Sequence, residues 1–156
     1  MAGGTSVADA SADLFDGKPW FLVNTDAPDA VARASRFVEA LGARPVVMSD
    51  RGEEHDRLMA ALSHLPQVTA TLLMAIVART VGTDNLRWAG SGLRDTTRLA
   101  SSKPEMWQSV LSSNSRELKP LMKHLASELA SFADCLEDPA AVQELFDEAN
   151  RAKSSL

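Results

Sequence analysis

Apolar and polar residues are arranged in two different ways along this chain. Near its start, two short apolar runs, Pro19–Val23 and Arg44–Met48, are typical of strands buried on both faces. Between them apolar residues recur every three or four positions, which predicts a helix capped by Thr25 and Asp26 and ended by Gly42. Strand, helix and strand in this order predict one βαβ unit.

Beyond Gly52 the spacing of apolar residues is helical and no convincing strand follows. Residues 68–78 are apolar almost all round, as in a helix buried by other helices or by a second subunit. Pro66 interrupts the pattern and predicts a break or kink, after which Ser63 would cap the continuing helix. The segment from Ser102 to Glu105 matches a capping box and predicts the start of another helix.

The helical spacing continues to the end of the chain, where Asp138 and Pro139 would begin the last helix. We therefore predict a mainly α fold, with a helical bundle preceded by a short βαβ remnant of a larger α/β domain. Two strands alone leave sheet edges and faces short of cover, which is why the unit reads as a remnant. The expected domains are residues 1–51 and residues 52–156.

Charge and composition narrow the classes of partner. The 156 residues carry 16 Lys and Arg against 21 Asp and Glu, a net charge of −5, which argues against nucleic acid as a partner. The single cysteine excludes an internal disulfide framework and fits a reducing compartment. The first residues do not resemble a signal peptide, and the apolar run 68–78 is too short to span a bilayer. We expect a cytoplasmic protein with no membrane partner.

Two polar clusters contain histidine, His55 beside Asp56 and His64 before Leu65 and Pro66. The two histidines are nine positions apart, which does not place them on one helix face, so we expect no metal site. For His64 the residue pattern leaves two interpretations open. It is either a packed, hydrogen-bonded histidine beside a helix break or part of a ligand pocket.

A third cluster runs from Gly90 to Arg98 and combines glycines with charged and hydroxyl side chains. It is not a phosphate-binding loop, because it follows no strand and lacks the P-loop lysine. A guanidinium fork is the best protein partner for a carboxylate, so Arg98 or Arg94 is a candidate anion ligand. The alternative is that both arginines form surface ion pairs with Asp95 or Glu105.

Taken in order, these clusters resemble the prephenate and arogenate dehydrogenases of tyrosine biosynthesis. The resemblance covers nearly the whole chain and includes segments 12–20, 55–56, 63–66, 92–100 and 103–107. It implies a dinucleotide-binding domain followed by an entwined helical dimerisation domain, with substrate held between them. In this family hydride passes from the substrate ring to NAD or NADP as the ring carboxylate is lost.

The resemblance also implies roles for individual residues. Arg98 would bind a carboxylate of the dicarboxylate substrate, and His64, Gln67, Asp95 and Thr97 would line the same pocket. Members of the family often carry a histidine where this chain has Gln67, which leaves the preference between prephenate and arogenate open. The implied partners are a second copy of the chain, forming a homodimer, and the small dicarboxylate.

The first residues, Met1 to Gly4, resemble only the end of a family motif whose catalytic histidine would lie just upstream of Met1. No Gly-x-Gly-x-x-Gly loop occurs in the chain, so its cofactor-binding residues are unknown. We therefore expect a truncated part of the enzyme, inactive alone and completed by a nucleotide-binding half that could be a separate chain. The alternative is a non-catalytic helical dimer acting as a ligand-binding or regulatory module.

Overall fold

The computed structural model describes residues 10–23, 27–48 and 51–156. The predicted fold class is confirmed: a two-stranded parallel sheet near the start is followed by helices. The predicted cap residues Thr25 and Asp26, and the motif at Met1 to Gly4, lie outside the described residues. The regular elements are β1 Pro19–Val23, α1 Pro28–Ala40, β2 Arg44–Met48, α2 Glu53–Met59, α3 Leu65–Val81, α4 Ser91–Thr96, α5 Pro104–Ser113, α6 Ser115–Asp134 and α7 Pro139–Lys153.

Both predicted strands form, and β1 pairs with β2 in parallel from Pro19 opposite Arg44 to Val23 opposite Met48. The two apolar runs are not buried on both faces among the described residues, as expected for two strands that are short of cover. Val23 is 40% exposed and Val47 is 51% exposed, because the described residues supply only two strands and little cover. Val38 of α1 is 2% exposed and forms part of the core beside the sheet.

The end of α1 confirms the predicted C-terminal glycine. Gly42 has a φ of +77°, a left-handed conformation that a side chain disfavours. Its carbonyl accepts a hydrogen bond from the backbone nitrogen of Gly17 at 2.8 Å. A Cβ atom at this position would lie 3.0 Å from Oδ1 of Asp16, so the close approach of the two turns also favours glycine.

Of the break or kink predicted near Pro66, the break does not occur, because one continuous helix runs from Glu53 to Val81. Instead, residues Ala60–His64 form a π-helical turn, in which the backbone nitrogen of Leu65 donates to the carbonyl of Ala60. The wider turn changes the register just before Pro66, which has no N–H to donate. The proline is accommodated at the start of α3, and Ser63 makes no side-chain cap.

This helix is longer than the apolar run on which the membrane prediction rested. Over 29 residues, with a mean hydropathy of 1.5 in its most apolar window, Glu53–Val81 is long and apolar enough to cross a bilayer. Length and composition alone are weak evidence, because a core helix passes the same test. Only 22% of that window is buried within the single chain, so most of the window is not covered by the rest of the described structure.

Two further helix starts were predicted, and α5 and α7 both form near the predicted positions. At α5 the predicted capping box does not form, because the hydroxyl of Ser102 donates to Oε1 of Gln67 at 3.2 Å instead. At α7 the prediction is confirmed, since Oδ1 of Asp138 accepts a hydrogen bond from the backbone nitrogen of Ala140 at 2.9 Å. Two 3₁₀ turns, Thr83–Trp88 and Arg98–Ser101, flank α4.

The chain divides into two compact units, Met1–Leu118 and Lys119–Leu156. The first contains the sheet, the long helix and the polar clusters described above. The second contains most of α6 and all of α7. The boundary between these compact units differs from the boundary between the predicted domains, residues 1–51 and 52–156. Those domains remain a prediction about which part of the family's architecture each segment belongs to.

Candidate functional site

His64 is buried at the end of the π-helical turn, with 8% of its surface exposed. Its Nδ1 atom lies 3.2 Å from Nδ2 of Asn114, a buried side chain between α5 and α6. The same Nδ2 donates to the backbone carbonyl of Asp56 at 2.7 Å. The imidazole also meets the ring of Trp107 edge to face, with centroids 6.0 Å apart. His64 is therefore packed and hydrogen-bonded, as the first of its two interpretations predicted.

These contacts define which nitrogen of His64 carries the proton. A carbonyl only accepts hydrogen bonds, so the carbonyl of Asp56 orients the Asn114 amide with Nδ2 toward it. The second hydrogen on that Nδ2 is then available to Nδ1 of His64, which must be the unprotonated acceptor. The proton of the neutral ring consequently lies on Nε2.

Burial lowers the pKa of His64 from its ordinary value of 6.5, because the charged ring would lose its hydration. The carboxylate of Asp56 opposes this effect by stabilising the charged form, whereas the nearby His55 adds to the lowering. Desolvation is the largest of the three, so His64 is neutral near pH 7 and presents a hydrogen-bond donor at Nε2.

Gln67 lies one turn beyond His64 and is 5% exposed. Its Nε2 donates to the backbone carbonyl of Leu99 at 2.8 Å, and its Oε1 accepts from the hydroxyl of Ser102 at 3.2 Å. Its Nε2 also lies 3.4 Å from the hydroxyl of Thr71. The amide thus joins the long helix to the 3₁₀ turn that starts at Arg98.

The three remaining predicted residues lie in and after α4. Thr97 is buried, and its hydroxyl donates to the backbone carbonyl of Leu93 at 2.6 Å. Asp95 and Arg98 are both exposed. The predicted alternative of ion pairs between Arg98 or Arg94 and neighbouring acids is not found among the described residues. Arg98 accordingly presents a solvated guanidinium group beside the turn that Gln67 holds.

Trp107 lies next to His64 and is buried, yet its indole Nε1 has no hydrogen-bond partner in the part of the chain that the structure describes. The prediction that this N–H reaches a partner is therefore wrong. The ring lines a mainly apolar cavity of about 350 Å³ between the long helix and α5. The other tryptophan predicted to be in the core or an interface, Trp88, is 76% exposed with the guanidinium of Arg87 over its ring at 5.2 Å.

The structure thus brings the predicted clusters into one region, linked through hydrogen bonds. His64 and Gln67 share one stretch of helix, and Gln67 contacts the residue that follows Arg98. Sequence reasoning missed Asn114 and the role of Ser102. In the sequence, Asn114 is an asparagine between two helical segments. Asparagine is equally common at ordinary helix ends, so its type and place did not indicate a site.

Residues 51–148 match the model of the family described as "Prephenate dehydrogenase, dimerization domain". The chain therefore belongs to the prephenate dehydrogenase family, which confirms the resemblance found in its sequence. Proteins of this family are oxidoreductases. The match begins where the long helix begins and includes every predicted pocket residue.

Two relatives show how much of the family's length is present. The chain is 31% identical over 153 residues to a cyclohexadienyl dehydrogenase of Zymomonas mobilis, covering 93% of this chain and 51% of that protein. It is 36% identical over 132 residues to a probable prephenate dehydrogenase of Streptomyces niveus, covering 81% of this chain and 35% of that protein. The chain thus spans from about a third to about half the length of these relatives.

A solved structure supports the fold independently. The prephenate dehydrogenase of Aquifex aeolicus, crystallised with hydroxyphenyl propionate and NAD+, superposes with a TM-score of 0.76 at 24% identity. The superposition covers 92% of this chain and 50% of that one. The described arrangement of a parallel strand pair followed by a long helix is therefore that of the family.

Proposed function

We propose that this chain is the substrate-binding and dimerisation part of a prephenate/arogenate dehydrogenase of tyrosine biosynthesis. Completed by a nucleotide-binding half, it would oxidise and decarboxylate prephenate or arogenate. The observation that carries the proposal is the hydrogen bond from Gln67 to Leu99, which holds the turn of Arg98 against the helix of His64. Both motif clusters thereby contribute to one region of the molecule.

Each polar side chain has a distinct role in the proposed pocket. The guanidinium of Arg98 attracts and pairs with a substrate carboxylate, because its fork matches the two oxygens. His64, with its proton on Nε2, donates a neutral hydrogen bond. Gln67 positions the turn, since its amide is engaged with Leu99 and Ser102. Asp95 and Thr97 shape the approach to Arg98.

The cofactor would be NAD or NADP, as in the relative crystallised with NAD+. The 156 residues do not fit a dinucleotide site, because they contain no Gly-x-Gly-x-x-Gly loop and the described sheet has only two strands. We therefore assign cofactor binding and the catalytic histidine of the family to a nucleotide-binding half, in the same polypeptide or a separate one. No chemical step with the cofactor is assigned to the residues described.

The proposed assembly is a homodimer, since the matched family region is a dimerization domain. The long helix leaves Leu72 48% exposed and Ile76 52% exposed, as a surface covered by another subunit would. In the second unit Leu129 and Phe146 are 62% and 59% exposed. We propose that a second copy covers the apolar surface of the long helix in place of a membrane, and that the protein is cytoplasmic.

Calorimetry of the 156-residue chain with prephenate and with arogenate tests the pocket. The expected result is binding of at least one dicarboxylate, weakened at least tenfold by Arg98→Ala through loss of a charge-assisted contact. Arg151→Ala is the matched control, because it removes the same charge from an exposed position of α7 that is not among the predicted pocket residues. Equal binding by the parent and Arg98→Ala proteins would contradict the assignment.

A second measurement separates this proposal from the alternative of a purely regulatory module. The chain alone should reduce no NAD(P)+, and addition of a nucleotide-binding half from a relative should restore prephenate oxidation. Dicarboxylate binding without any restored oxidation would favour the regulatory module.

A further inference from the structure

Asn114 has a buried side-chain amide and lies outside the motifs that carry the resemblance to the family. It is 6% exposed and stands where α5 ends and α6 begins. Its backbone nitrogen donates to the carbonyl of Val110, and its carbonyl accepts from the backbone nitrogen of Leu118. Because its main chain is engaged by both helices, its side chain projects from a fixed point.

The side chain of Asn114 bridges two positions of the long helix. One hydrogen on Nδ2 is directed to the carbonyl of Asp56 at 2.7 Å and the other to Nδ1 of His64 at 3.2 Å. The two acceptors belong to α2 and to the end of the π-helical turn, on either side of Ala60. The π-helical turn therefore brings His64 to the amide that also binds the preceding turn of the helix.

We propose that Asn114 is a positioning residue, which holds His64 in the tautomer with the proton on Nε2 and so presents a neutral donor to a bound dicarboxylate. The inference rests on the proposed function for the identity of the ligand. The tautomer itself follows from the geometry of the chain alone.

The local charges explain why an amide suits this position. Asp56 favours the imidazolium and His55 disfavours it, while Trp107 contributes an uncharged ring. An amide hydrogen aimed at Nδ1 repels a proton on that nitrogen, so it acts with burial to keep His64 neutral. A neutral donor hydrogen-bonds a substrate without placing a buried, desolvated cation at His64.

Nitrogen-15 NMR of histidine-labelled full chain tests the proposal without any ligand. The wild-type spectrum near pH 7 should show His64 with unprotonated Nδ1 and protonated Nε2. In Asn114→Ala the Nδ1 resonance should move toward a mixture of tautomers, and the titration midpoint of His64 should rise. A wild-type His64 with its proton on Nδ1 overturns the proposal even if the variant does not fold.

Asn85→Ala is the matched control. Its Nδ2 also donates to a backbone carbonyl, that of Val81 at 2.8 Å, but its side chain makes no hydrogen bond to a histidine among the described residues. The tautomer and midpoint of His64 should be unchanged in this variant. An unchanged tautomer and midpoint in folded Asn114→Ala would also overturn the proposal, because the amide would then be only a structural link.

Calorimetry adds the functional readout. Asn114→Ala should weaken dicarboxylate binding by roughly tenfold, because His64 would no longer hold its Nε2 hydrogen toward the ligand. The two failures are distinguishable. Correct tautomers without dicarboxylate binding reject the proposed function alone, whereas dicarboxylate binding that is equal in Asn114→Ala and the parent rejects the positioning role alone.

Discussion

The side-chain amide of Gln67 donates a hydrogen bond to the backbone carbonyl of Leu99 at 2.8 Å across 32 positions of sequence. The same amide accepts from Ser102, so one buried side chain satisfies two polar groups of another segment, the Leu99 carbonyl and the Ser102 hydroxyl. The Gln67 amide is an uncharged group that both donates and accepts. Its position is therefore important for the fold as well as for the proposed pocket.

Replacing Gln67 with leucine keeps the volume of the side chain but removes both of these hydrogen bonds. The carbonyl of Leu99 and the hydroxyl of Ser102 would lose a partner, and the free energy of unfolding should fall by about 1–3 kcal/mol. Urea denaturation followed by circular dichroism measures this change. Gln108→Leu, at an exposed position of α5, should change the stability by less than about 0.5 kcal/mol. Equal effects of the two substitutions would contradict the role of Gln67.

The sequence predicted the elements that depend on local patterns. Apolar runs located both strands at their observed ends, and Gly42 marked the end of α1 because the left-handed conformation at a helix end favours glycine. The break considered at Pro66 does not occur, because a helix can widen by one residue to accommodate a proline, and no side-chain pattern reports that change. The capping box failed because Ser102 has a distant partner, Gln67.

Residue types and motif order were sufficient to predict the family and the region of the candidate site. They could not predict which polar groups within that region satisfy one another, since Asn114 and His64 are 50 positions apart. The orphan indole N–H of Trp107 was equally invisible, because hydrogen-bond satisfaction depends on packing between segments.

Gly42→Ala should destabilise the first unit. The residue has a φ of +77°, and the added Cβ would lie 3.0 Å from Oδ1 of Asp16, so we expect a loss of about 1–2 kcal/mol. Gly92→Ala is the matched control, because Gly92 lies inside α4 with no atom within 4 Å of a new Cβ. That change should be neutral or stabilise by about 0.5–1 kcal/mol. Chemical denaturation of both variants measures the difference, and a neutral Gly42→Ala would contradict the account of this turn.

Ile76→Glu should weaken the proposed dimer. Ile76 is 52% exposed on the apolar long helix, and a carboxylate there would have to be desolvated when a second copy covers this surface. Light scattering after size-exclusion chromatography should give a dimeric mass for the parent and a monomeric or mixed mass for the variant. Ser109→Glu, which adds the same charge at an exposed position of α5, is the control. A monomeric parent at micromolar concentration would contradict the dimer.

The stability of the chain should depend on pH through His64. Its folded pKa lies below the ordinary value of 6.5, so between these two values the unfolded chain binds a proton that the folded chain does not. The free energy of unfolding contributed by His64 is therefore complete above pH 6.5 and falls as the pH is lowered through that window.

Urea denaturation between about pH 7.5 and 5, compared with His64→Gln, isolates this contribution from the carboxylates that titrate in both proteins. The stability advantage of the parent over the variant should shrink as the pH falls. Gln108→Leu, which removes no titratable group and lies at an exposed position, provides the control and should show a constant difference from the parent. A constant difference for His64→Gln as well would mean that burial does not disfavour the charged ring, and the neutral state of His64 near pH 7 would lose its physical basis.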